Sequence, residues 1–352
     1  MCTFCKKFIK VCAQQCYEQS CRESAMKRLL TILFVVAVLG LQIAPYASVA
    51  GSGEGLTIVV TFPFLYNDVG ALACEGDAVV NLVKPGIDPH EYQLTPSDID
   101  LIKRADLIVS TGHTPFEIKI RELASSGQIR ARLVELPSIE GVVLLRHPRT
   151  GALNYHGIQL YPQNYALLIK AIESTLEALR PECAEVYKAN AEKMLQELSN
   201  LNSTVKKFSK LLAVVDLPPL QYIAAWLGLE VKHILVVEEG VPIMPQDYME
   251  VEELLASAKH VIVMATKEGV AEARLRSMSR EHGVAFISLP NPLLYNGTLD
   301  YLRVTAQIVN NVSLATGSPQ TKGFSISTSM LVGVAALLAV IVVIVLYTWL
   351  RR

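Results

Sequence analysis

The sequence predicts an α/β protein of two parallel-sheet lobes joined by one long backbone helix, with a transmembrane helix at its C-terminal end. Three observations carry this prediction. Short β-branched runs alternate with helical stretches in two separate series, the pattern of a parallel, doubly wound sheet. Between the series, apolar residues recur at alternating steps of three and four, the spacing of one helix face. Near the C-terminus, Met330 to Leu350 carries no charged side chain, and Arg351 and Arg352 follow it.

The first series opens with "LTIVVTF", a strand, and a helix from Leu65 to Ala73. "AVVNLV" is the next strand. A helix follows over Thr95 to Ala105, with Ile99, Leu101, Ile102 and Ala105 apolar, Thr95 or Ser97 able to cap it and Asp98 in its first turn. "DLIVSTG" is a third strand. The helical stripe then runs through Ala184, Tyr187, Ala191, Met194, Leu198, Leu201, Val205 and Phe208. From Glu182 to Leu212 this predicts a helix of about thirty residues, roughly 45 Å long. A coiled coil has the same stripe, but with only about four heptads and an αβ series on each side, a helix packed along both lobes fits better. The second series reads "KLLAVVD", "GLEVKHILVV", "HVIVMAT" and "VAFISLP". The expected organisation is a first lobe over 51–180, a linking helix over 181–212, a second lobe over 213–316 and a Ser/Thr/Gly-rich stalk over 317–329.

Both ends read as membrane-related. Lys27 and Arg28 precede an apolar run from Leu29 to Ala44, and "YASVAG" offers Ser48 and Ala50 as small residues for signal-peptidase cleavage, so 26–50 is read as a secretory signal. An uncleaved membrane helix is the alternative, and either reading exports the following domain. At the other end, 330–350 is long enough to cross a hydrocarbon core of roughly 30 Å, with Tyr347 and Trp349 at an interfacial position and the terminal arginines inside. No cysteine stands at the end of the signal, so a lipid-modified N-terminus is not expected. Residues 1–25 hold five of the seven cysteines and are read as an over-extended start, the alternative being a small metal site on Cys2, Cys5, Cys12 and Cys16. Export leaves Cys74 and Cys183, an even pair in a disulfide-permissive compartment whose pairing sequence alone does not establish.

The formal charge of −1 over 352 residues gives no electrostatic case for nucleic acid. No nucleophile stands in a recognisable elbow or beside a base, so an enzyme is not expected. Histidines carry what chemistry there is. In doubly wound sheets, ligands bind outside the carboxyl ends of the strands, where His90 and His113 both fall. Asp88, Pro89, Glu91 and Tyr92 flank His90, and nearby carboxylates commonly support a ligating imidazole. His156 precedes Pro162 and a long helix, again on a turn before a helix. His113 is read as a supporting or surface residue, the alternative being a spare first-lobe ligand. His233, His260 and His282 stand beside strands and are read as surface residues.

The order of elements resembles the metal-binding solute-binding proteins of ABC importers, the zinc and manganese receptor family. "VVTFPFLYNDV", "LVKPGIDPHEYQLTPSDI", "ADLIVSTGHTPFE" and "PIMPQDYMEVEELL" carry the likeness, which covers about Leu56 to Ala315. The resemblance implies His90 and His156 as the first two metal ligands. The third family ligand, a His or Glu five residues before Tyr222, falls on Leu217, which cannot ligate, and Asp216 is the substitute expected beside it. The fourth, a carboxylate, falls on Asn291. The implied cargo is Zn2+ or Mn2+, with Fe2+ a further option, since mixed N/O sites suit all three. Glu140 to Leu153 holds only His147, so the His-rich loop of many zinc receptors is missing. The implied partners are an ABC permease and its ATPase, with the receptor a monomer on the extracytoplasmic side of the membrane. The alternatives are a receptor of the same fold for a metal chelate or other solute, and a surface adhesion protein with a degenerate metal site.

Overall fold

A computed structural model describes residues 55–312 apart from 85–86, 88–89, 237–240 and 259. The predicted leader, signal, stalk and 330–350 segment lie outside the described residues. Among the described residues no helix is long and apolar enough to cross a membrane.

The first lobe is built on strands β1 (Thr57–Val60), β2 (Ala78–Asn81), β3 (Leu107–Ser110) and β4 (Arg132–Glu135), all parallel in the order β2-β1-β3-β4. Helices α1 (Tyr66–Leu72), α2 (Pro96–Arg104) and α3 (Pro115–Ser125) connect them. The sequence expectation of a helix from Leu65 resolves into a 3-10 turn over Pro63–Leu65 followed by α1. Thr95 is the cap of α2, in a reciprocal box with Asp98. The second lobe repeats the topology: β5 (Leu212–Val215), β6 (Glu230–Ile234), β7 (Val261–Thr266) and β8 (Ala285–Leu289) are parallel in the order β6-β5-β7-β8. The central strands β3 and β7 are buried along their whole length, as apolar runs covered on both faces should be. In each lobe the strand order reverses next to the first strand, so the ligand crevice is expected beyond β1 and β3, and beyond β5 and β7.

Two helices complete the first lobe, α4 (Pro162–Leu179) and α5 (Ala184–Thr204). The second lobe adds α6 (Leu220–Trp226), α7 (Pro245–Ser257) and α8 (Glu272–Glu281), and the described chain ends in α9 (Thr298–Asn310). Helix α5 is the predicted linking helix, with Tyr187, Ala191, Met194 and Leu198 buried against α4, α1 and α9. It is shorter than the periodicity implied. It stops at Thr204 after 21 residues, and Leu212 belongs to strand β5. The stop is tertiary in origin. Asn310 at the end of α9 donates to the Thr204 carbonyl at 3.3 Å and accepts from the Lys206 N–H at 2.7 Å, satisfying groups that a longer helix would have paired. Val205 and Phe208 stay buried as part of an extended segment, so the apolar stripe outlives the helix.

Helix α9 returns to the first lobe. Asp68 of α1 accepts from the Thr298 N–H at 2.6 Å and the Leu299 N–H at 3.3 Å, placing a carboxyl on the N-terminus of α9. At the start of α5, Arg180 pairs with the buried Asp77 at 2.9 Å, and Tyr187 donates to the same carboxylate at 2.7 Å. Cys74 and Cys183 are joined beside them in a disulfide whose residues are 109 apart in sequence. Closing a loop of this length in the unfolded chain accounts for most of what such a bond contributes. Replacing both cysteines by serine is therefore expected to lower the unfolding free energy by about 2–5 kcal/mol. Denaturant unfolding checks this, and equal midpoints for variant and parent would show that the disulfide adds nothing to the stability of the junction.

Candidate metal centre

Three imidazoles meet at the carboxyl ends of the first-lobe strands. One ligating nitrogen from each of His90, His113 and His156 lies within 4.8 Å of the others. Their ring centroids are 5.8 Å (His90–His113), 5.3 Å (His90–His156) and 5.0 Å (His113–His156) apart. All three line one cavity, with Phe62 and Phe64 on one side and Leu217, Pro218 and Leu293 on another. His113, read from sequence as a supporting or surface residue, is thus a full member of the group.

The turn after β3 explains why. Glu117 in the first turn of α3 is completely buried, and its carboxylate accepts from the side chains of Thr61, Ser110, Thr111 and Thr114. It also accepts from the backbone N–H groups of Thr111, His113 and Thr114. Burial alone would raise its pKa, but His113 and these donors outweigh it and hold the group below the usual carboxylate value. The Thr111 hydroxyl donates to Glu117, so the proton at its 3.2 Å contact with His113 Nδ1 comes from the imidazole. That leaves His113 Nε2 with a free lone pair, the form a metal needs. Gly112, just before it, has φ +72°, and a Cβ there would stand 2.5 Å from Glu135. The sequence signal for this arrangement was present in Thr114–Glu117, a T-x-x-E capping box directly behind a histidine.

His156 is held from the other lobe. Its backbone N–H donates to Asn154 Oδ1 at 3.0 Å, and Asn154 Nδ2 donates to the Pro218 carbonyl at 2.9 Å and to Gln221 Oε1 at 2.8 Å. The Tyr222 hydroxyl donates to the Asn154 carbonyl and accepts from the Leu145 N–H. Gly157 follows at φ +76°, where a Cβ would meet Pro219 at 2.7 Å. Each of these two histidines therefore borders a glycine that no other residue replaces without strain. His156 Nε2 is buried and has no hydrogen-bond partner among the described residues, as a nitrogen reserved for a metal would be.

The other predicted ligands sit differently. Asp216 does not line the cavity. It is buried at the end of β5, where Thr266 donates to it through its N–H at 2.6 Å and its hydroxyl at 3.2 Å, tying β5 to β7. Burial raises its pKa to about 6 against those hydrogen bonds. Asn291 does line the cavity, but its Oδ1 accepts from the Leu293 N–H at 2.9 Å and caps the 3-10 turn Pro292–Leu294. Leu217 faces the same space as an apolar wall. His233 corrects the surface reading. It is 7% exposed, because Lys232 bulges out of the β5–β6 pairing and Glu250 comes within 3.7 Å of His233 Nδ1. His260 is exposed, and His282 bonds Glu252 at 2.6 Å.

A family model described as zinc-uptake complex component A, periplasmic (ZnuA) matches residues 58–313. The chain belongs to the ZnuA family. Members of this family are metal-binding receptors of ABC transporters and not enzymes. A manganese-binding lipoprotein, MntA of Halalkalibacterium halodurans, is 30% identical over 176 residues, covering 49% of this chain and 57% of that protein. The match thus spans little more than half of that relative. The iron-binding protein YfeA of Yersinia pestis is 24% identical, covering 65% of this chain and 75% of its own. The solved structure of FpvC from Pseudomonas aeruginosa in complex with Mn2+ shares the fold at TM-score 0.59 and 22% identity, over 73% of this chain and 96% of that one. The metals named for these ZnuA-type proteins differ, so the family does not by itself choose one for this chain.

Protons and metals compete for the same imidazole lone pairs. Burial, then the neighbouring His113 and His90, pushes His156 down to about 4, and burial also lowers His113 against the pull of Glu117. A lowered histidine pKa keeps the neutral, ligating form as pH falls. Metal affinity measured in steps from pH 7 to 5 is therefore expected to fall less steeply than the roughly two log units per pH unit that three imidazoles of ordinary pKa, about 6.5, average over this range. A slope of about two would contradict this arrangement.

Proposed function

We propose that this protein is an extracytoplasmic receptor, tethered by Met330 to Leu350, that binds a divalent transition metal at His90, His113 and His156. It then passes the ion to an ABC permease driven by its ATPase. The observation that carries this is the convergence of three ligating nitrogens within 4.8 Å in a cavity between the lobes. Three neutral imidazoles with no carboxylate among them favour Zn2+ over Mn2+, since manganese depends more on carboxylate oxygen. Membership of the ZnuA family and its relatives' manganese and iron supports the class of cargo.

A second reading, a metal chelate as cargo, is favoured by one feature: the second-lobe wall is apolar at Leu217, Pro218 and Leu293. Titration of the purified full chain, stripped with chelator, separates the two. One Zn2+ per chain, bound without any organic co-ligand, is expected. Metal uptake only in the presence of a small-molecule chelator would replace the first reading with the second. The same preparation made without 330–352 is expected to leave the membrane fraction, and its retention there would argue for an uncleaved N-terminal helix.

A further inference from the structure

Gln159 lies in the 3-10 turn Ile158–Leu160, three residues after His156. The residue is 3% exposed and lines the cavity that holds the three histidines. Its Oε1 is buried and has no hydrogen-bond partner among the described residues. A carbonyl oxygen left dry and unpaired opposes folding, whereas a leucine would occupy a similar volume without that penalty. Neighbouring side-chain oxygens are already engaged: Asn291 Oδ1 by Leu293, the Asp216 carboxylate by Thr266, and Glu117 by its cluster of donors. Among the described residues this cavity offers three imidazoles and one unspent oxygen, the donor count of a tetrahedral centre.

Resting on the proposed metal-receptor function, we infer that Gln159 is the fourth metal ligand, coordinating through Oε1. The first lobe then supplies every ligand. The set is three nitrogens and one amide oxygen, all uncharged, and the second lobe contributes only the apolar cover. An uncharged set leaves the full charge of the ion unbalanced, which holds it less tightly than a set with carboxylates and favours its release.

The test uses the full chain in detergent, stripped of metal, with Zn2+ and Mn2+ titrated into Gln159→Leu, Gln159→Glu and, as a control, His156→Ala. Gln159→Leu is expected to weaken Zn2+ at least about tenfold, beyond the lower end of what supporting residues cost. Its metal-free melting temperature should stay equal or rise, because the unpaired oxygen is gone; a purely packing role would lower it. Gln159→Glu should tighten Mn2+ more than Zn2+ by adding a charged oxygen. If Gln159→Leu folds and binds both metals like the parent while His156→Ala does not, Gln159 is no ligand and the three-histidine site stands. If His156→Ala also binds like the parent, the site reading falls and this inference with it. Should Gln159→Leu melt lower than the parent, the Glu variant decides: tightened Mn2+ supports ligation, and unchanged or weaker Mn2+ overturns it.

Discussion

Replacing His90 and His156 together by alanine is expected to abolish metal binding while leaving the fold in place. Each supplies one of the three converging nitrogens, and the only imidazole then left in the cluster is that of His113. A single imidazole in a cavity does not compete with water for a divalent ion. The loss should far exceed the roughly 10- to 100-fold that removal of a supporting hydrogen-bond partner causes. The His156 part of the change should cost little stability, because His156 Nε2 has no hydrogen-bond partner among the described residues and its truncation breaks no such bond there. His113→Ala alone should give a partial loss, since two nitrogens remain. Calorimetric titration measures the affinities and circular dichroism the fold. An unchanged affinity in the folded double variant would place the site elsewhere.

Glu117→Ala is expected to be the most destabilising single substitution around the site. Its carboxylate is the common acceptor for the Thr61, Ser110, Thr111 and Thr114 hydroxyls and for the backbone N–H groups of Thr111, His113 and Thr114. Truncation leaves these donors buried without a partner, and breaking a buried charged cluster in this way costs about 3–5 kcal/mol. Glu117→Gln keeps the shape but replaces an acceptor oxygen with a donor amide facing other donors, so a smaller loss of about 1–3 kcal/mol is expected. Both variants should also weaken metal binding, because Thr111 no longer has a carboxylate to donate to and His113 loses its fixed tautomer. Thermal unfolding of the metal-free protein gives the first effect and titration the second. If Glu117→Ala melts with the parent, the turn is held by other contacts, and Glu117 does not set the orientation of His113.

Much of the architecture was legible because it is written in local patterns. The αβ alternation, the Thr95 cap, the proline-led helix α7 and the apolar stripe of α5 each occupy a short stretch whose spacing implies its structure. His90 was marked by its neighbours and by a family motif, and His156 by its place before α4. His113 carried a usable local signal as well, the capping box behind it. Gln159 carried none: a glutamine in a turn looks like any solvated residue until the cavity around it is known.

From sequence alone followed the two lobes of parallel sheet and the helix between them, since strand and helix periods are properties of neighbouring residues. Tertiary structure alone decided the rest. Asn310, 106 residues away, ends α5 at Thr204. A bulge and Glu250 bury His233. Thr266 engages the Asp216 carboxylate, and the packing of three turns brings His113 level with His90 and His156. These outcomes depend on distances between groups far apart in the chain, and such distances exist only once the sheets and helices have packed.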